Sequence, residues 1–114
     1  MRGDERLFIQ LVTDRANIVY DEEFEAFLQR AIDRGGISQI VIHAHTDGVG
    51  DAESNLALSR GWANDLRDWI AARGVPLSLI LAEGFGEERP VVEAPDETPY
   101  FANQRIEITI RFDG

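Results

Sequence analysis

Three side chains able to hold a metal or a polar ligand fall at every second position of one stretch: His43, His45 and Asp47, in HAHTDGVGD. Imidazole and carboxylate in an H-x-H-x-D arrangement are zinc or iron chemistry, and alternate positions along a strand and its exit share one side. The chain has no further histidine and no cysteine, so a third ligand has to be a carboxylate from an acidic loop. The same stretch also suits a non-catalytic pocket. Asp47 stands just past a strand end, in a loop whose Gly48 and Gly50 leave backbone amides free to face a ligand. Asn55 and Ser59 lie four apart, on one face of the helix that follows. That arrangement fits a small group bearing both an ammonium and a carboxylate. A purely structural reading competes with both: Asp47 or Asp51 caps the helix, Asn55 ties down the loop, and the two imidazoles share a strand face with Val41.

The elements that must position these residues follow from periodicity. LFIQLVT, residues 7–13, is apolar almost throughout and reads as a buried strand. Asp21 is placed to cap a helix whose first turn carries Glu22 and Glu23, and whose apolar stripe is Phe24, Phe27, Leu28, Ala31 and Ile32; Gly35 and Gly36 end it. Residues 38–45, SQIVIHAH, form a second strand with Ile40, Ile42 and Ala44 on one face. A second helix runs from Ala52 or Ser54 to Arg73 around Ala63, Leu66 and Ile70, with Leu58, Trp62 and Trp69 flanking that line; Gly74 closes it. LSLILA, residues 77–82, reads as a third strand from which GFGEERP turns away, and residues 91–103 as a long loop with at most one helical turn. Last, Ile106, Ile108, Ile110 and Phe112 alternate with Arg105, Glu107, Thr109 and Arg111, a strand wet on one face. The order predicts an α/β two-layer sandwich: a mixed four-stranded sheet with helices on one face.

Bulk composition narrows the function classes. A chain of 114 residues, 44% hydrophobic, buries one core, so residues 1–114 are expected to be a single domain. Twenty-one acids against 11 basic residues give a net charge of −10, which repels nucleic-acid backbones and anionic membrane surfaces. No segment approaches the roughly 18 apolar residues of a spanning helix. A membrane connection, if there is one, is therefore expected from another part of a longer parent chain. No cofactor motif is recognisable.

Taken jointly, four pieces resemble the peptidoglycan-binding domain shared by OmpA C-terminal regions, Pal lipoproteins and the stator protein MotB. IVIHAHTDGVGD is similar to that family's strand followed by G-H-T-D-x-x-G. NLALSRGWANDLRDWIAARGVP is similar to N-x-x-L-S-x-x-R-A with its helix and K-G-V; GFGEERP to G-x-G-E-x-x-P; and NQRIEITI to N-R-R-V-E-I. The pieces keep the family's order and spacing across residues 7–112. The resemblance implies an OmpA-like sandwich with no enzymatic activity, excised from an exported or membrane-anchored parent. The implied role is to bind the diaminopimelate residue of the peptidoglycan stem peptide in the periplasm or cell envelope.

Carried over residue by residue, the resemblance implies that Asp47 is the family aspartate that grips the ammonium. Asn55 begins the helix motif, with Thr46 and Leu58 in the matched segments. Asp14 is the polar residue after the first strand and Arg105 the second arginine of N-R-R, while Gln104 replaces the first. The arginine that grips the carboxylate falls on Trp62. Arg60 cannot simply stand in, since two residues along a helix rotate the side chain by about 200°. A lost charged hydrogen bond costs about 1.5 to 3 kcal/mol, which leaves Arg105 or Arg89 to reach the carboxylate. Trp62 either packs against Leu58, Leu66 and Trp69 or lies flat against a sugar ring or protein partner. The latter gives a second functional reading: an assembly module that kept the fold and meets a protein through Trp62, Tyr100 and Phe101.

Overall fold

The computed structural model describes residues 22–46, 51–86 and 105–113, together with the backbone of 6–12. Its elements run β1 (Arg6–Val12), α1 (Glu22–Arg34), β2 (Ile37–His45), α2 (Ala52–Ala71), a 3-10 turn (Leu77–Leu79), β3 (Ile80–Gly86) and β4 (Arg105–Phe112). The expected cap at Asp21 and the loop 91–103 lie outside the described residues.

Four strands form one sheet in the order β1-β4-β2-β3. β4 is central, antiparallel to both β1 and β2, while β2 and β3 run parallel. Parallel neighbours need a crossover, and α2 supplies it. Both helices pack on the same face. Phe24, Leu28 and Ala31 of α1 and Trp62, Ala63, Leu66 and Ile70 of α2 meet Ile40, Ile42 and Ala44 of β2 and the isoleucines and Phe112 of β4 in one buried cluster. The helices also touch each other, Phe24 and Trp69 rings lying 5.4 Å apart and tilted. On the other face Gln39, Val41, His43, Thr109 and Arg111 are only half-buried. The two-layer sandwich with a mixed four-stranded sheet is thus the observed architecture.

The third strand departs from expectation. Pro76, with φ of −59°, opens a tight turn closed by the Leu79 amide donating to the Pro76 carbonyl at 3.0 Å, so pairing with β2 begins only at Ile80. At its other end the strand continues through GFG instead of turning away: Glu83 pairs with His43, Gly84 with Ala44 and Gly86 with His45. Phe85 is the extra residue of a bulge there. Glycine is needed because α2 lies directly on this strand. A Cβ on Gly84 would sit 2.6 Å from the Ser59 carbonyl carbon and 2.7 Å from the Arg60 Cα.

Candidate ligand-binding site

β2 delivers His45 and Thr46 to one end of the sheet, and antiparallel pairing brings the first residue of β4, Arg105, opposite His45. The start of α2 arrives at the same end. Its N-cap is Asp51, whose carboxylate accepts from the Ser54 amide at 3.0 Å and the Ser54 hydroxyl at 3.2 Å. Asn55 follows within the first turn. Gly86 ties these pieces together. Its carbonyl accepts from the Thr46 amide at 2.8 Å, its own amide donates to Ser59 Oγ at 2.8 Å, and a Cβ there would meet the Leu56 and Asn55 backbone at 3.0 to 3.3 Å.

Among the described residues the buried polar or charged side chains are His45, Thr46, Asn55, Ser59 and Arg105, and all five stand at this end. Polar burial is costly unless each group is satisfied. Ser59 meets that requirement, donating to the Leu56 carbonyl at 3.0 Å while accepting from Gly86. Arg105 Nε donates to Glu107 Oε2 at 2.8 Å. Thr46 Oγ1 is buried without a hydrogen-bond partner among the described residues.

Glu107 links this end to the open face of the sheet. Burial alone would raise its pKa, but the hydrogen bond and charge of Arg105, helped by His45 and His43, hold it below the ordinary carboxylate value. His45 Nε2 lies 3.6 Å from its carboxylate and stacks on Phe85 at 5.3 Å. His43 meets the same ring edge-on at 5.0 Å and faces Glu83 at 3.2 Å. The two imidazoles are thus engaged by an aromatic ring and separate carboxylates. Among the described residues no group of three or more such side chains is arranged to hold a metal ion.

Of the residues singled out in the sequence, Thr46, Asn55 and Arg105 come together here. Leu58 is half-buried against the core. Asp14, Asp47, Arg89, Tyr100 and Phe101 lie outside the described residues, although Asp47 directly follows Thr46 in the chain. Trp62 requires a correction. It is 2% exposed and belongs to the core, so it offers no flat surface to a sugar or a protein. Its Nε1 is buried without a partner among the described residues. The helical stripe that placed it beside Leu66 was the physically decisive pattern. Gly86, Phe85 and Glu107 were not singled out as contributors; two glycines interrupting an apolar strand were the available signal for close backbone approach.

The model for the OmpA family matches residues 10–105. The chain belongs to the OmpA family. This OmpA-family domain is 39% identical over 66 residues to the peptidoglycan-associated lipoprotein of Brucella melitensis, covering 58% of this chain and 39% of that protein. It is 32% identical over 68 residues to its namesake in Pasteurella multocida, covering 60% and 45%. The match thus spans less than half the length of these relatives. The crystal structure of the peptidoglycan-associated lipoprotein from Burkholderia pseudomallei superimposes with a TM-score of 0.72 at 26% identity, over 89% of this chain and 88% of that one. The cell wall anchor of the T6SS from Pseudomonas aeruginosa shares the fold, with a TM-score of 0.71 at 24% identity over 95% and 82%.

Proposed function

We propose that this OmpA-family domain is a non-catalytic module that binds peptidoglycan in the periplasm and anchors a longer parent protein to the cell wall. One observation carries the reading: every buried polar side chain described is gathered at one end of the sandwich, around Gly86 and beside the residue that precedes Asp47. Burying polar groups costs stability unless each is satisfied, and a few polar groups converging at one place are what orients a ligand in a pocket. The names of the relatives, peptidoglycan-associated lipoproteins, support the same ligand.

The moiety bound is the diaminopimelate of the stem peptide. Asp47 accepts from its ammonium, Asn55 and the backbone from Thr46 onward hold the peptide, and Arg105 is the cation nearest the carboxylate. Arg105 is shared with Glu107, and the family arginine is replaced by a core tryptophan, so the carboxylate end is held less firmly. Affinity is expected to be roughly ten- to a hundredfold below that of a domain with the arginine, the equivalent of one charged hydrogen bond.

The test is titration of a diaminopimelate-containing muropeptide into isotope-labelled protein. Saturable shifts are expected at Thr46 and from Asp51 to Ser59, weakened in Asn55→Ala. Amides that stay unmoved at millimolar muropeptide would refute the assignment.

A further inference from the structure

On the flank of α2 turned away from Trp62, the helix and the edge of β3 bound a groove of about 450 Å³, within the size range of ligand sites. One wall carries Leu56, Arg60 and Asn64; the other is β3 itself, with Glu83 and Phe85. Among the described residues β3 is paired with β2 alone, so from Ile80 to Gly84 its outer side meets no other described strand and has the backbone donors and acceptors of a sheet edge. The exposed Arg60 forms no ion pair with another described residue. On the opposite face of the strand Glu83, which meets His43 through one carboxylate oxygen at 3.2 Å, is still 47% exposed. It is flanked at two-residue spacing by the exposed Leu81 and the half-buried Phe85.

We propose that this edge accepts an extended peptide of alternating charge, added to the sheet as a strand beside β3. Side chains of an extended strand alternate between faces. One row of the incoming peptide therefore lies beneath α2, where Arg60 and Asn64 select an acidic residue. The adjacent residue projects to the open face, where Glu83 selects a lysine or arginine, and apolar residues two positions to either side of it cover Leu81 and Phe85. Main-chain hydrogen bonds supply affinity and the two charges fix register. An adjacent acid and base leave the peptide neutral, which a chain of net charge −10 tolerates and a uniformly acidic peptide does not satisfy.

The probe is the capped hexapeptide VTKEVT, with VTQQVT as its counterpart without charged side chains, titrated into the labelled full chain. The expected result is saturable shifts across residues 80–86 and at Arg60 and Asn64, with slowed hydrogen exchange in β3. Arg60→Glu and Glu83→Lys, both on exposed side chains, should each weaken binding about tenfold or more. VTQQVT should bind correspondingly worse. No shift at millimolar VTKEVT, equal binding of VTQQVT, or unchanged affinity in both variants would overturn the proposal.

Discussion

Gly84→Ala adds one methyl group where α2 and β3 meet backbone to backbone. That methyl would stand 2.6 Å from the Ser59 carbonyl carbon and 2.7 Å from the Arg60 Cα, and neither atom can swing aside as a side chain would. The helix must lift. Inserting a methylene-sized group into such a contact costs about 1 to 3 kcal/mol. Lifting α2 also stretches the buried bond from the Gly86 amide to Ser59 Oγ, now 2.8 Å, for about 1 kcal/mol more. The sum is about 2 to 4 kcal/mol, or a fall in Tm of roughly 8 to 16 °C at about 4 °C per kcal/mol for a domain near this size. Urea unfolding with a common m-value measures it. Gly61→Ala is the matched control, because a Cβ there meets nothing within 4 Å and Gly61 lies inside α2. It should stabilise by about 0.5 to 1 kcal/mol through helix propensity. If Gly84→Ala unfolded within about 0.5 kcal/mol of wild type, the limit of an ordinary surface substitution, the close seating of α2 on β3 would be wrong.

Three further outcomes follow from the same geometry. Trp62→Arg restores the residue type of the family motif but puts a charge into the core, and should lower stability by about 3 kcal/mol or more in denaturant unfolding; a stability equal to wild type would mean that the side chain is not buried. Glu107 has a folded-state pKa below its ordinary value of 4.5, so its contribution is present above that value and is lost as pH falls through the folded-state pKa. Unfolding midpoints measured from pH 6 downward should decline through this window in wild type and less steeply in Glu107→Gln. Asp51→Ala removes the carboxylate that caps α2 and should cost about 1 kcal/mol, read as a lower urea midpoint and faster amide exchange in the first turn of the helix.

Much of this architecture was legible because two periodicities are clean. Ile106, Ile108, Ile110 and Phe112 against Arg105, Glu107, Thr109 and Arg111 specify a strand buried on one face, and the stripe through Phe24, Leu28 and Ala31 specifies α1. Residues 77–79 misled because three apolar-rich positions in a row resemble a strand start, while the fixed φ of Pro76 curls them into a 3-10 turn. Gly84 and Gly86 look like turn residues in isolation; their reason for remaining in the strand is the backbone of α2 from Asn55 to Arg60, far earlier in the chain, which no local pattern conveys. His45 illustrates the same limit. Alternation places it on the wet face, yet it is 2% exposed, and the stacked Phe85 belongs to a segment that reads as a turn. For the candidate site, motif spacing was enough to bring Thr46, Asn55 and Arg105 into view, but it left Trp62 with two places, core or ligand surface, between which the packing of α2 on the sheet decides.

The pairing of β1 with β4 has a mechanical consequence. Arg6 stands opposite Arg111, and Val12 opposite Arg105, so the polypeptide enters and leaves this sheet at the pole farthest from Gly86. On the proposed function, a cargo joined through either terminus would pull from one pole while a wall fragment held beside Asn55 would resist at the other. The load runs along the strands in shear, and seven residue pairs between β1 and β4 bear it together instead of parting one after another like a zip.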